Sequence, residues 1–416
     1  MIQVSKRDYY GGFIKRCRIH DLLHDLAIRK AREENFLVVF PKTDGVRRLA
    51  IHDKEPSGEL MASVVSNLRA LWCRERLPNV SLFTHLKVLS GTTDLYEPDK
   101  FGKLSLLRYV KVRLAVYSKD KDYFGKFIGG MSLGPPPSID LTNLQTLTGV
   151  RARESWVAQG SPKLPNVKYL EICVPKAQGG VQWDAIVTLL NTMKDLVVLY
   201  LWGPDIPLKI IDMRHFPFRC HLTNLTIFDT SRGDEDEEQR ALPDYPQPPN
   251  QIVLDVGMLP KYLIKLELTN IKFREDPFAV VEMLENLRYL HLQRSKLLLR
   301  LCCSATGFGK LEELELSSLT GLEEWEIEEG AMPMLKNLDV DSCPGLRVPL
   351  GLQYLTVLQC LNWTHNGTSD TENNEIRSIC KHPEFVSMYL EVSLFLITLF
   401  YFSAMYFFFL YSFPFG

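Results

Sequence analysis

The chain has 416 residues, 46% hydrophobic and 24% charged, a length that suggests two or three domains. Its formal net charge is −2, so no excess of either sign favours nucleic acid or an acidic membrane surface as a partner. The nine cysteines include no C-x-x-C pair. This excludes a zinc ribbon, gives no support to a disulfide framework and favours reduced thiols in the cytoplasm.

The N-terminal segment, residues 1–40, is predicted to be a small helical unit. One apolar stripe at helical spacing runs along it, formed by Ile19, Leu22, Leu23, Leu26 and Ala27. His20 and His24 lie one helical turn apart, as in the H-E-x-x-H zinc enzymes. Asp21 replaces the glutamate base and no third ligand is identifiable, so a zinc-dependent hydrolase is the least favoured function. Residues 41–78 are expected to form a linker and the entry to the next domain.

Residues 79–363 repeat the pattern L-x-x-L-x-L about eleven times. Four blocks begin at a constant spacing of 24 residues, at Leu263, Leu287, Leu311 and Leu335. A fixed period between 20 and 29 residues is typical of a leucine-rich repeat solenoid. Residues one, four and six of each block are expected to point into the core. We therefore predict an α/β leucine-rich repeat solenoid with a curved parallel sheet on its concave face.

Some blocks depart from the pattern. Gly91 and Gly149 stand where the third leucine of two blocks is expected, and the last block is assigned to Leu352, Leu355 and Val357. The intervals from 107 to 144 and from 222 to 263 exceed one repeat, which predicts insertions that form loops. The second interval contains the acidic run 234–238, which favours a solvated loop over a specific docking site.

The residues between the leucines form the candidate binding surface. They are a basic group, an aromatic group, a mixed group and an acidic group: Arg108, Lys111 and Arg113; Tyr200 and Trp202; Tyr289 and His291; Glu312, Glu313 and Glu315. Aromatic side chains flanked by charges of changing sign are typical of a protein-binding surface. Ordinary variation of an exposed surface is the alternative. We find no nucleophile elbow and no metal site, and expect neither an enzyme nor a cofactor.

The C-terminus is apolar. Residues 364–384 form a polar tail, and residues 385–416 form a hydrophobic segment in which 392–413 carries no charge. These 22 residues are enough to span a hydrocarbon core about 30 Å thick. The composition predicts a hydrophobic, possible transmembrane helix, with a buried or spurious tail as the alternative. A cytoplasmic protein with a single-pass C-terminal anchor is therefore one expectation.

Two stretches resemble a known family. Residues 18–27 (RIHDLLHDLA) resemble the M-H-D region that closes the nucleotide-binding module of plant NB-LRR disease-resistance proteins of the coiled-coil class. Residues 322–333 (LEEWEIEEGAMP) resemble a stretch near the end of that family's repeats. The resemblance implies that Ile19, His20 and Asp21 are a relic of the nucleotide-sensing motif, with Ile19 in place of methionine.

The resemblance also implies a function. The chain has no P-loop, so we expect a truncated family member or partial gene model that binds no nucleotide itself. Its function would be recognition of a protein in plant defence, either a pathogen effector or a host protein that the receptor guards. A membrane-anchored leucine-rich repeat receptor is the alternative. The lack of a signal peptide and the unpaired cysteines disfavour it.

Overall fold

A computed structural model describes most of the repeat region and two short N-terminal stretches. The described residues are 2–7, 14–19, 47–51, 67–73, 83–91, 104–112, 115–117, 126–128, 141–152, 164–174, 182–231, 251–295, 300–364 and 385–386.

The described strands, in chain order, are β1 (Ile2–Arg7), β2 (Ile14–Ile19), β3 (Arg48–Ile51), β4 (Ala70–Cys73), β5 (Val88–Gly91), β6 (Tyr109–Val112), β7 (Ala115–Tyr117), β8 (Lys126–Ile128), β9 (Thr146–Arg151), β10 (Tyr169–Cys173), β11 (Val198–Gly203), β12 (Asn224–Asp229), β13 (Gln251–Ile252), β14 (Lys265–Thr269), β15 (Lys272–Phe273), β16 (Tyr289–Gln293), β17 (Arg300–Cys303), β18 (Glu313–Ser317), β19 (Glu324–Ile327), β20 (Asn337–Asp341), β21 (Cys360–Thr364) and β22 (Phe385–Val386). The α-helices are α1 (Gln182–Asn191), α2 (Leu208–Ile211) and α3 (Phe278–Val281). Short 3-10 helices span Met213–His215, Pro217–Cys220 and Leu352–Tyr354.

One sheet of 14 strands organises the fold, and every adjacent pair in it is parallel. The strands follow chain order: β3, β4, β5, β6, β9, β10, β11, β12, β14, β16, β18, β20, β21 and β22. Each strand therefore hydrogen-bonds to the strand of the preceding repeat and to that of the following one. This is the arrangement expected when identical units stack along one axis, and it confirms the predicted solenoid.

The repeat spacing fixes the register of the sheet. Leu266, Leu290, Leu314 and Leu338, the fourth residues of consecutive 24-residue blocks, lie opposite one another. None of the four is more than 1% exposed. Positions one and six are equally buried, because alternate side chains of a strand point to opposite faces of the sheet. The leucine core thus lies on one face of the sheet, and positions three, five and seven occupy the other face.

A tight turn precedes each strand. The backbone N–H of Leu287 donates to the carbonyl of Leu284 (3.0 Å), and that of Leu311 donates in the same way to Phe308 (3.1 Å). The residue three places before position one is buried in both repeats. The turn therefore places one more apolar side chain in the core and directs the chain into the next strand.

Gly149 shows how a degenerate block still forms a regular repeat. Its φ of 72° lies in the left-handed region that glycine adopts at little cost. The pairing of β9 with β10 shifts at this point: Leu147 lies opposite Leu170, but Val150 lies opposite Ile172. The extra residue forms a β-bulge and returns Val150, which is 1% exposed, to the core.

Shorter elements lie between the strands of the main sheet. The strands β13 and β15 form one small parallel sheet, and β17 and β19 form another. Trp325 on β19 is buried and donates from its indole N–H to the Sγ of Cys303 (3.4 Å). Phe278 and Phe308 pack edge to face, with ring centroids 5.1 Å apart. Both predicted insertions contain strands: β7 and β8 in the first and β13 in the second.

The sequence pattern assigns the last block six residues too early. Residues 352–354 form a 3-10 helix and Val357 is 42% exposed, so the predicted block there is wrong. The buried positions one, four and six are instead Leu358, Leu361 and Trp363. The predicted block, 352–357, directly precedes the observed one, 358–363, and both have apolar residues at positions one, four and six. Packing against β20 selects the one that ends in tryptophan.

The ends of the chain also differ from expectation. The described part of the helical segment predicted for residues 1–40 is a pair of antiparallel strands, β1 and β2, in which Ile19 pairs with Ile2. β1 begins with isoleucine and β2 begins and ends with it, and this β-branched residue favours extended backbone. Residues 20–46, with the rest of the predicted apolar stripe, lie outside the described residues. The sheet begins with β3 and β4, within the predicted linker 41–78.

The C-terminal hydrophobic helix is not among the described elements. Within the predicted segment 385–416 only Phe385–Val386 is described, and it extends the sheet as β22. Residues 392–413 lie outside the described residues, so the helix stays a prediction. Among the described residues, no helix is both long and apolar enough to cross a membrane.

Candidate protein-binding surface

Positions three, five and seven of the repeats form the outer face of the main sheet. Position five supplies one residue from each of ten neighbouring strands, a set that we call the position-five row. Its members are Lys111, Thr148, Glu171, Tyr200, Thr226, Glu267, His291, Glu315, Asp339 and Asn362. Adjacent strands lie about 4.8 Å apart, so consecutive members are within reach of one another. Ten residues scattered over more than 250 positions of sequence become one continuous surface.

Aromatic side chains lie near the middle of this face. Tyr169 and Tyr200 stack with ring centroids 5.5 Å apart and planes inclined by 26°. At position seven of β11 and β12, Trp202 and Phe228 stack with ring centroids 5.2 Å apart and the same inclination of their planes. All four side chains are half-buried, so each keeps some exposed surface. Stacked aromatic pairs held on rigid strands give a partner a large apolar contact area at little entropic cost.

Glu267, next along the row, has a complete set of partners. Its carboxylate forms an ion pair with the Nζ of Lys265 (2.8 Å) and accepts a hydrogen bond from the hydroxyl of Thr226 (2.7 Å). Burial acts to raise the pKa of Glu267, but Lys265, His291 and the two hydrogen bonds outweigh it and lower the pKa below its usual value. Lys265 also lies over the ring of Tyr289, 4.9 Å from its centroid.

The aromatic pair Tyr289 and His291 is less exposed than the sequence suggests. Their exposed fractions are 4% and 5%, so the expectation that both are available to a partner is wrong. The hydroxyl of Tyr289 donates to Glu315 (3.0 Å), and the Nε2 of His291 lies 3.4 Å from the other oxygen of that carboxylate. Contacts between side chains of neighbouring strands therefore bury these two rings within the outer face of the sheet.

The C-terminal end of the face is acidic. Four carboxylates occupy positions three, five and seven of β18 and β20: Glu313, Glu315, Asp339 and Asp341. Burial and the charges of Glu315 and Asp341 raise the pKa of Asp339 to about 6, although Asn362 donates a hydrogen bond to it (3.0 Å). A partner that presents positive charge would relieve this repulsion.

Glu171 contrasts with Glu267. Burial raises the pKa of its carboxyl to about 7, and the charge of Lys111 only partly opposes this. Among the described residues, none donates a hydrogen bond to Glu171. Its neighbour in the row, Thr148, is 4% exposed, and the Oγ1 of Thr148 has no hydrogen-bond partner there either. Within the described part of the chain, a buried hydroxyl and a half-buried carboxyl that accept no hydrogen bond thus lie on adjacent strands next to the Tyr169–Tyr200 pair.

Two predicted residues lie at the margin of this surface. Arg108 and Glu312 occupy position two of their blocks, directly before β6 and β18, and their place on the binding surface stays a prediction. The carboxylate of Glu312 bridges the same position of both neighbouring repeats, with Arg288 at 2.9 Å and Lys336 at 2.8 Å. Position two directly precedes the strand. The side chains of Arg288, Glu312 and Lys336 at this position form a line of ion pairs beside the N-terminal ends of the strands, which we call the edge ladder.

The other predicted residues divide into two sets. Lys111, Tyr200, Trp202, Glu313 and Glu315 lie on the outer face, as their block positions imply. Three predicted residues lie outside the described residues: Arg113 of the basic group and the motif residues His20 and Asp21. Ile19 is described only as the last residue of β2. The nucleotide-sensing relic and the zinc arrangement therefore stay predictions.

Sequence reasoning missed Thr148, Tyr169, Glu171, Phe228 and Asp339. All five could have been found by reading positions three, five and seven of every block as outward-facing. What the sequence could not show is which of these polar side chains lack a partner, because that depends on side chains from adjacent strands.

The chain is similar to known repeat proteins and to plant disease-resistance proteins. Residues 133–383 match the family described as leucine-rich repeat region. Over 426 residues, 25% are identical to disease resistance protein RPP8 of Arabidopsis thaliana, a match covering 86% of this chain and 43% of that protein. The disease resistance RPP8-like protein 3 of the same plant is 37% identical over 413 residues, with the same coverage. The chain thus spans less than half the length of these relatives.

Solved structures include similar folds. A leucine-rich repeat protein of Leptospira interrogans is 19% identical and superposes with a TM-score of 0.42, over 83% of this chain and 90% of that one.

Proposed function

This chain belongs to the leucine-rich repeat region family, and we propose that it is a protein-recognition module acting in plant defence. Its relatives RPP8 and RPP8-like protein 3 are disease-resistance proteins, which supports that setting. The partner would be a protein, either a pathogen effector or a host protein that such a receptor guards. We propose no catalytic activity, cofactor or nucleic-acid partner for this chain.

One observation carries the proposal. The outer face of the sheet is a continuous surface that combines stacked aromatic rings with charged side chains. The Tyr169–Tyr200 and Trp202–Phe228 pairs lie between Lys111 on one side and the acidic strands β18 and β20 on the other. Hot spots of protein interfaces are enriched in tyrosine and tryptophan, and complementary charges orient the partner.

The experiment is site-specific photo-crosslinking followed by an affinity measurement. A photo-reactive residue replaces Val198, which lies beside the aromatic pairs, and a second protein carries it at Glu312 on the edge ladder. A protein crosslinked from infected plant extract only through position 198 is then purified. Binding of this partner should weaken at least about tenfold with Trp202→Ala and stay unchanged with Glu312→Gln. Equal affinities for both variants would contradict the proposal.

We also propose that residues 392–413 associate with a membrane while the repeats stay in the cytoplasm. The support is compositional: this stretch of 22 residues contains no charged side chain.

A further inference from the structure

The outer face contains one place where several polar groups lack partners. Thr148 on β9 and Glu171 on β10 are neighbours in the position-five row. Among the described residues, the buried Thr148 hydroxyl has no hydrogen-bond partner. The half-buried Glu171 carboxyl accepts no hydrogen bond from these residues and is influenced by the charge of Lys111. Buried polar groups in native proteins are nearly always satisfied, so an unpartnered buried hydroxyl beside a half-buried carboxyl calls for an explanation.

The surroundings of this pair define what could satisfy it. Glu171 lies directly opposite Tyr200 in the sheet and two residues from Tyr169 on its own strand, and these two rings stack on each other. Tyr109, on β6, is 36% exposed and close enough to influence the ionisation of Tyr169. A carboxylate and a hydroxyl beside aromatic rings are complementary to a cation that donates several hydrogen bonds.

We propose that Glu171, Thr148 and the Tyr169–Tyr200 pair bind an arginine side chain of the protein partner. The inference rests on the proposed function, in that the arginine belongs to a bound polypeptide. A guanidinium is planar, stacks on tyrosine and carries five donors, so one group can serve the carboxylate, the hydroxyl and an aromatic face. A lysine ammonium, which is compact and strongly hydrated, fits this combination less well.

Lys111 provides a test of whether a cation binds at Glu171, because its charge should weaken such binding. It is exposed, lies opposite Thr148 in the sheet, and its charge acts on Glu171. A cation bound at Glu171 is repelled by Lys111, so replacing Lys111 with methionine should strengthen binding of arginine. A purely structural role for Glu171 and Thr148 predicts no such gain.

The experiment titrates the full chain with N-acetyl-arginine amide, using calorimetry at pH 8. N-acetyl-citrulline amide, which has nearly the same shape but no charge, serves as the matched probe. We expect arginine amide to bind at least about tenfold more tightly than citrulline amide. Glu171→Gln should abolish that preference, Thr148→Val should weaken binding of arginine amide, and Lys111→Met should strengthen it. Glu267→Gln is the matched control, since Glu267 already has its partners, and should change nothing.

Three outcomes would overturn the inference: no binding of arginine amide, equal binding of the citrulline probe, or an unchanged preference in Glu171→Gln. Circular dichroism melts of each variant establish folding. If Glu171→Gln fails to fold, the comparison of the two probes on the unaltered chain and the Lys111→Met variant still decide. The titration needs no protein partner, whereas crosslinking through position 198 needs no arginine site, so the two proposals can fail separately.

Discussion

Glu171 and Glu267 occupy the same position of their repeats and face the same surface, yet their carboxyl groups have pKa values shifted in opposite directions. Burial without a donor raises the pKa of Glu171 to about 7. Lys265, His291 and the hydrogen bond from Thr226 lower the pKa of Glu267 despite its burial. The repeat places both carboxylates identically, and whether each one is satisfied depends on Lys265 of the same strand and on the side chains of neighbouring strands.

This difference predicts opposite effects of removing the two charges. In the unfolded chain both groups have a pKa near 4.5, so ionised Glu171 disfavours the folded state increasingly between pH 4.5 and pH 7. Glu171→Gln should therefore raise the free energy of unfolding at pH 8 by about 1–3 kcal/mol and leave it unchanged at pH 4. Urea melts at the two pH values measure this.

The variant Glu267→Gln is expected to behave in the opposite way. The folded-state pKa of Glu267 is lowered, so its ionised form stabilises the fold above pH 4.5, and this contribution is lost as the pH falls. The substitution should cost about 1–2 kcal/mol at pH 8. If both variants shift stability in the same direction at pH 8, the contrast between the two sites is refuted.

The leucine positions should dominate stability. Leu290→Ala and Leu314→Ala each remove a side chain at most 1% exposed, and each should destabilise the fold by about 2–5 kcal/mol. Arg288→Ala and Glu313→Gln alter side chains off the core face and should cost under about 0.5 kcal/mol. Urea denaturation at neutral pH compares the four. A similar loss in all of them would show that these blocks do not stack through their leucines.

The apolar C-terminal segment should send the full chain to membranes. On insertion scales each central leucine, isoleucine, phenylalanine or valine contributes about −0.3 to −0.6 kcal/mol, and many lie within residues 392–413. Carbonate extraction of the tagged chain is the measurement, with a chain ending at Glu384 as the control. Recovery of the full chain in the supernatant would mean that the segment is not a transmembrane helix.

The chain is expected to bind neither ADP nor ATP. A phosphate cradle needs several backbone N–H groups and a lysine, and the sequence contains no G-x-x-x-x-G-K-[ST] pattern. His20, the histidine of the M-H-D-like motif, offers a single donor. Calorimetric titration with either nucleotide should show no heat of binding. A one-to-one micromolar complex would disprove the expectation.

Much of the fold was predictable because burial follows spacing. The 24-residue steps from Leu263 to Leu335 fixed the repeat, and the alternation within each block identified Lys111, Tyr200, Trp202, Glu313 and Glu315 as outward-facing. At the last repeat two consecutive stretches match the apolar pattern, and the prediction took the first, although the second begins 23 residues after Leu335. The strand that follows Leu358 therefore escaped prediction, as did the bulge at Gly149.

The sequence by itself determined that this chain is a stack of leucine-rich repeats, because a period of apolar residues is a local property of the chain. Only the tertiary structure decided which outward-facing polar groups satisfy one another. Tyr289 and His291 are buried against Glu315, Glu267 accepts a hydrogen bond from Thr226, and among the described residues the Thr148 hydroxyl is left without a partner. The reason is physical: each of these contacts joins neighbouring strands, whose residues lie some 24 or more positions apart in the chain, and the register of the strands sets which of them meet.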